Sequence, residues 1–416
     1  MQLRASICVA VALAAPAATA LDLSWRPLLR IGARATDNVR WASDNQEAAL
    51  GFDNGGGLEM NAETAEWKSK LNPSFNFRRF AIGDDLDADE YGVRSQHQWL
   101  ATERLVFGAN LDYVRDSTLT TELTDAGLQN QVANRDTITA QPSVTFLLNE
   151  KTTLTGGYLY NDVSFGTDAN GQLVDFTYQQ LSASITRAWQ ENVQFFISSF
   201  ASEFETEEPE GRTRTYGAQG GVEYTYRPDL GVTLSIGYVK SDIEFQTQFL
   251  TFDPGPPPRL VVASRTDDVS TNGPLASASF FKDFENTRTR FDYNRRVSPS
   301  IRGTQQLEDD IVVTAEHDLT KAWKVGFRGG YNLRSSELQD IASGQVPATS
   351  NQLNRDQALL AGWTAYAFTK ELSIRSEYRF VRNSFSDDTL ERDAVYGHSL
   401  FVNLIYNGEP RFLRGF

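Results

Sequence analysis

Thr320-Lys321-Ala322-Trp323, followed at once by Lys324-Val325-Gly326-Phe327-Arg328-Gly329-Gly330-Tyr331-Asn332-Leu333, is the stretch that decides the fold. A polar tight turn opens it. Polar or small residues then alternate with Val325, Phe327, Tyr331 and Leu333, the two-residue period of a strand with one apolar face. The unit recurs: Thr369-Lys370-Glu371 precedes Leu372 to Phe380, and Thr102-Glu103-Arg104 precedes Leu105 to Tyr113. Ala65-Glu66-Trp67, Asn149-Glu150-Lys151, Trp189-Gln190-Glu191-Asn192, Pro228-Asp229-Leu230-Gly231 and Asp283-Phe284-Glu285-Asn286 complete a set of about eight. The other connections read as long and polar. Short turns at one end and long loops at the other predict a transmembrane antiparallel β-barrel.

The N-terminus carries a charged Arg4, an apolar core from Ala5 to Pro16 and the small-x-small site Ala18-Thr19-Ala20. That pattern predicts a signal peptide over 1–20, removed near Ala20 and too short to span a bilayer as a helix. A single barrel domain over 21–416 follows. The one cysteine, Cys8, leaves with the leader, which excludes disulfides, cysteine metal sites and cysteine nucleophiles from the mature chain. It lies inside the apolar core, away from any small-residue cleavage site, so no lipid anchor is expected. The 39 Lys+Arg against 54 Asp+Glu give a net charge of −15, and loss of Arg4 takes it to −16. No basic footprint for nucleic acid exists. No apolar run of about 18 residues follows the leader. Aromatics still reach 12 %, with 26 Phe and 15 Tyr. That mixture suits strands greasy on one side only.

About 396 mature residues at about 22 per strand and connection leave room for about 18 strands. The turns give the same number: a first strand over Pro27 to Val39, a polar loop to Gly57, a short second strand over Leu58 to Thr64, and a last strand over Arg392 to Tyr406. Dropping the hairpin around 51–64 would leave sixteen. Leu105, Phe107, Ala109, Leu111 and Tyr113 share an outward face, with Asn110 and Asp112 inward. Val232, Leu234, Ile236 and Tyr238 form another apolar face, as do Leu400, Val402, Leu404 and Tyr406. Lipid must meet these sets, because a charge near the bilayer midplane costs about 2–4 kcal/mol. Gln194 to Phe204 and Ala358 to Phe368 alternate too poorly for their faces to be assigned. Trp99, Trp189, Tyr226, Trp323, Tyr378 and Tyr406 read as an aromatic girdle at strand ends. The polar loops include Gly83 to Glu90, Thr120 to Arg135, Gly166 to Val174, Glu205 to Arg212, Ser336 to Arg355 and Gln246 to Asn272, the last with Pro254-Gly255-Pro256-Pro257-Pro258.

No catalytic constellation emerges, so no enzyme is expected, and no cofactor or metal. The three histidines, His97, His317 and His398, are far apart and fall on lipid-side positions, without ligand spacing. Acid pairs such as Asp84-Asp85 and Asp387-Asp388 could catch a hard cation, but such acids are more often a solvated surface. Gly55-Gly56-Gly57 lacks the Lys-Ser/Thr and helix of a phosphate loop. The informative chemistry is inward. One strand presents Arg288, Arg290, Asp292, Asn294 and Arg296; its neighbour presents Glu308, Asp310, Thr314, Glu316 and Asp318. The next offers Lys324, Arg328 and Asn332, and a later one Arg375, Glu377 and Arg379. Arg288 and Arg290 are expected level with Glu316 and Asp318, within cross-strand reach. Such columns brace a wall by pairing, and they also line a hydrated channel that takes sugars through Arg forks and aromatic faces.

A leader, then Ala35-Thr36-Asp37-Asn38-Val39 at the end of the first strand, then hairpins to the C-terminus resembles the β-barrel porin type 2 family. An Asp-Asn-hydrophobic element after the first strand recurs in that family. The resemblance implies an outer-membrane barrel associated with exopolysaccharide secretion and working beside periplasmic polysaccharide-export proteins. Its expected partners are then outer-membrane lipid, the barrel-assembly machinery and a polysaccharide or small polar solute in the lumen, with no nucleic acid. The terminal Phe416 fits the assembly signal of such barrels, whereas Asn407-Gly408 and Pro410 break the run after Tyr406. The leading expectation is a monomeric conduit for exported polysaccharide. A general or sugar-selective diffusion porin, and a structural barrel with a plugged lumen, are the alternatives.

Overall fold

The computed structural model describes residues 22–413 except 41–45, 82–85, 119–132, 167–172, 207–210, 254–258, 300–304, 336–353 and 388–389. The expected leader, Phe416, the proline-rich 254–258 and most of the loops read at 120–135, 166–174 and 336–355 lie outside the described residues. The strands are β1 (Asp22–Thr36), β2 (Ala49–Glu63), β3 (Trp67–Phe80), β4 (Ala88–Thr102), β5 (Leu105–Ser117), β6 (Asn134–Asn149), β7 (Thr152–Phe165), β8 (Phe176–Gln190) and β9 (Val193–Thr206). They continue as β10 (Gly211–Arg227), β11 (Leu230–Asp253), β12 (Arg259–Asp283), β13 (Thr287–Pro299), β14 (Gln305–Asp318), β15 (Trp323–Ser335), β16 (Asn354–Ala367), β17 (Leu372–Asp387), β18 (Leu390–Asn407) and a short β19 (Arg411–Leu413). Each of the first seventeen pairs antiparallel with its successor. β1 also pairs with β18, which closes an eighteen-strand barrel.

The repeated turn has a local cause. Thr64 Oγ1 accepts the amides of Glu66 and Trp67, Thr320 Oγ1 those of Ala322 and Trp323, and Thr369 Oγ1 those of Glu371 and Leu372. Thr102 and Asn149 cap Arg104 and Lys151 in the same way. A side-chain oxygen that satisfies the turn's amides fixes a tight reversal, and with it the register of both flanking strands.

Register then sorts the faces. Leu29 and Ile31, Leu234, Ile236 and Tyr238, and Leu400, Val402, Leu404 and Tyr406 all lie on one face and are exposed, Ile236 at 78 %. On the other face Arg30 of β1 passes over β2 to bond Asn76 of β3 at 2.7 Å. Side chains converge across an intervening strand only on a concave surface, so this face lines the lumen. His97, His317 and His398 fall on the outer face with the apolar set, bonded to Ser69, Thr287 and Tyr378. Trp99, Trp189, Tyr226, Trp323 and Tyr406 are exposed outward near the short turns. Tyr378 departs from that ring: it stands mid-strand against His398, near Phe380 and Tyr396.

Several expected boundaries move. β1 starts at Asp22 and ends at Thr36, short of Val39. β2 starts at Ala49 rather than Leu58, because Gly55, Gly56 and Gly57 sit within a ladder and not in a loop. Phe75 from β3 covers the outward Gly56, supplying the apolar surface the glycine lacks. The stretch 246–272 is mostly paired backbone, since β11 and β12 run 24 and 25 residues and stay in register from Asp253↔Arg259 downward. Crossing a bilayer takes about 9–11 residues, so this hairpin projects well beyond it. The C-terminus is an interrupted strand: after Asn407 the chain slips one residue, and β19 resumes on β1 at Leu23–Trp25. Gly408 makes the slip possible, since a Cβ there would stand 2.7 Å from Pro27 Cγ while its amide donates to the Pro27 carbonyl.

Candidate functional site

The lumen wall of β13, β14 and β15 places the basic, acidic and basic columns side by side. Arg288 stands opposite Glu316, bonds it at 2.9 Å and lies 3.7 Å from Asp318; Lys324 reaches Asp318 at 3.2 Å and Glu316 at 3.6 Å. Arg290 differs from expectation. Its register partner is Thr314, one rung above Glu316, so it turns to Asp292 on its own strand at 2.7 Å. Arg296 and Arg334 converge on Glu308 at 3.1 and 3.2 Å, and Asn332 donates to the same carboxylate, which is 3 % exposed. On β17, Glu377 bridges Arg375 at 3.0 Å and Arg379 at 2.8 Å. Asp310 faces Asn294 and Asn332, and Arg328 faces Thr314 and Ala361; neither makes an ion pair among the described residues.

β16 separates the β15 and β17 columns. It adds Trp363, whose ring lies under the Arg375 guanidinium, 4.3 Å from its centroid. From there a ladder crosses the barrel seam, which the sequence reading did not reach. Arg379 and Arg34 stand over the Phe401 ring at 5.0 and 4.8 Å. Arg34 meets Asp53 at 3.1 Å, Asp53 meets Arg78 at 3.0 Å, and Arg78 meets Glu90 at 3.3 Å. Below it, Arg26 and Lys70 share Glu59. The sequence signal was present in Arg26, Arg30 and Arg34, spaced four apart on one face of β1. Their partners are Glu59 of β2 for Arg26, Asn76 of β3 for Arg30 and Asp53 for Arg34, the last in the half of β2 that read as a loop.

The remaining arc, β6 to β12, is chemically different. Its inward positions read Thr137, Thr139, Gln141, Ser143 and Thr145 on β6, and Gln180, Ser182, Ser184 and Thr186 on β8. β9 turns Gln194, Phe196, Ser198, Phe200, Ser202 and Phe204 inward. Among described inward side chains of these strands, charge is confined to Arg135 (paired with Asp116 at 2.9 Å), Glu223 and groups at the strand ends. Leu173 and Ala133, from the long-loop end, fold against Phe204, Phe176, Tyr178 and Val163, so Phe204 is 1 % exposed. No group of three or more His, Cys, Asp or Glu among the described residues could hold a metal.

No protein-family model matches this sequence, and no curated protein does either. Solved structures with a similar fold include OpdQ of Pseudomonas aeruginosa, at 10 % identity and TM-score 0.46, covering 95 % of this chain and 100 % of that one. OccAB2 of Acinetobacter baumannii is similar at 11 % and 0.43, over 93 % and 98 %. The alcaligin outer membrane receptor FauA of Bordetella pertussis is similar at 10 % and 0.43, over 91 % and 75 %. This chain is a closed antiparallel eighteen-strand β-barrel.

Proposed function

We propose that this chain is a passive, non-catalytic conduit of the outer membrane whose main cargo is exported polysaccharide. The supporting observation is the inner wall: an eighteen-strand barrel is wide enough to leave an aqueous channel, and most of its described lumen-facing side chains are charged ladders, hydroxyls and amides, with aromatic rings among them. Paired charges keep a wall polar without fixing a strongly bound solute, which suits passage over capture. The resemblance at Thr36-Asp37-Asn38 points to polysaccharide secretion, with inner-membrane and periplasmic partners supplying the drive. A diffusion porin for small polar solutes is the second reading. Asp310 and Arg328, which make no ion pair among the described residues, favour it, since charges left free on the wall are available to passing small ions.

Reconstitution of the full mature barrel in planar bilayers tests the conduit. Steady conductance is expected, and Arg288→Gln/Arg290→Gln/Arg328→Gln should shift ion selectivity toward cations. A correctly folded barrel that conducts nothing overturns the reading. Deletion in the producing cell separates the cargoes: polymer retained in the periplasm supports export, while slowed growth on small solutes with normal polymer release supports the porin.

A further inference from the structure

The inward aromatics lean on glycines of the neighbouring strand. A Cβ at Gly217 would strike Cε1 and Cζ of Phe200, and one at Gly221 would strike the same atoms of Phe196. Phe281 covers Gly231 and Trp363 covers Gly326 in the same manner. The far end of each ring therefore rests above a neighbouring strand, so the ring lies along the wall instead of pointing at the channel axis. One face is used against the wall, and the other is presented to the lumen.

What covers that second face differs between the two arcs. In the charged arc a guanidinium occupies it: Arg375 over Trp363, and Arg34 and Arg379 over Phe401. In the uncharged arc no described cation stands over Phe196 or Phe200. Both rings are half-buried, and Ser198 lies between them on the same face. They are about 13 Å apart along β9. Gln194, Gln219, Ser184 and Ser235 surround them at inward positions of β8 to β11. Bare aromatic faces bordered by neutral donors and acceptors match a pyranose ring, which has an apolar C–H face and a rim of hydroxyls. Among the described inward residues beside these rings the only charge is Glu223, opposite Gln194, so anionic solutes find no counter-charge here.

We propose that the β8–β11 wall is a stacking lane for uncharged carbohydrate, with Phe196 and Phe200 as its platforms. This rests on the conduit reading and names its cargo class. The glycines serve the lane by letting the rings recline; ordinary glycine coverage within a sheet would also strengthen the strands, so the test must separate the two roles.

The test uses the full mature barrel in planar bilayers, with maltohexaose as probe and polyethylene glycol of equal hydrodynamic size as control. Maltohexaose should interrupt the ion current, and the glycol should not. Phe196→Leu/Phe200→Leu should leave open-channel conductance and the unheated gel mobility of the folded barrel unchanged. It should raise the half-blocking sugar concentration about tenfold, as expected for losing two stacking contacts. Phe196→Tyr/Phe200→Tyr, which keeps the rings, should restore block. Equal block by sugar and glycol overturns the lane, and so does sugar block that survives the leucine variant. Loss of stability with unchanged block assigns the rings to strand coverage alone and likewise overturns it. Absence of conductance in the parent protein sinks the conduit reading and the lane with it, whereas a conducting barrel indifferent to sugar sinks only the lane.

Discussion

The Asp37-Asn38 pair should be the latch of the barrel. The rungs between β1 and β18 run from Leu28↔Asn407 to Thr36↔Ser399, and beyond them side chains carry the seam. Asp37 Oδ1 accepts the His398 amide at 2.7 Å, while the Asp37 amide donates to the His398 carbonyl at 3.2 Å. Asn38, with no exposed surface, donates through Nδ2 to the Tyr396 carbonyl at 3.0 Å. Val39 then donates to the Glu47 carbonyl and turns the chain toward β2. Asp37→Ala removes a charge-assisted bond worth about 1.5–3 kcal/mol, and Asn38→Ala removes the polar contacts of a fully buried side chain, the bond to the Tyr396 carbonyl among them, at about 1–3 kcal/mol. The two sites adjoin and will couple, so the double variant should lose about 3–5 kcal/mol, a large part of an ordinary folding free energy. Asp37→Asn keeps an acceptor without its charge and should fall between parent and Asp37→Ala. Urea titration in lipid vesicles, followed by tryptophan emission, reads these differences, and gel mobility without heating reads barrel closure. A double variant within about 0.5 kcal/mol of the parent would refute the latch.

Two further outcomes follow from the lumen. Glu308→Gln leaves Arg296 and Arg334 without their shared charge at a site 3 % exposed, so it should cost about 3 kcal/mol or more in the same titration; a smaller loss than from Glu316→Gln, whose carboxylate is more exposed, would contradict the assignment. Gly326→Ala pushes a methyl into the Trp363 ring and should lift it off the wall and away from Arg375. A changed Trp363 emission with intact gel mobility is expected, and an unchanged spectrum in a barrel where Trp363 is the dominant reporter would count against the packing.

Five of the short-turn hairpins were readable because their signal is local: a Thr or Asn oxygen satisfies one or two turn amides, and an alternating strand follows. The seam ladder was not, since Asp53 and its partners depend on which strands meet when the sheet closes. β2 was misread at its upper half because three consecutive glycines look like a loop until Phe75 is known to cover the middle one. The long hairpin of β11 and β12 was hidden by its Thr, Gln and Asp content, which describes strands standing in water as well as it describes a loop.

The two strands whose faces could not be assigned are the instructive failure. β9 reads Phe195, Phe196 and Ile197 in succession, and β16 carries Leu360, Trp363 and Tyr366, so apolar residues fall on both sides. Alternation fails where a strand must satisfy lipid outside and also present an aromatic surface inside. On β16 that inner surface is spent on holding a guanidinium, which explains Trp363 structurally through Arg375. On β9 no described cation stands over Phe196 or Phe200, whose rings also cover Gly217 and Gly221. An uncompensated aromatic facing water in a polar lumen carries a hydration cost of the size that burying it would recover. Under the proposed stacking lane that cost is offset, beyond what covering the glycines recovers, when something apolar on one face, and tolerant of hydroxyl neighbours on its rim, moves past it.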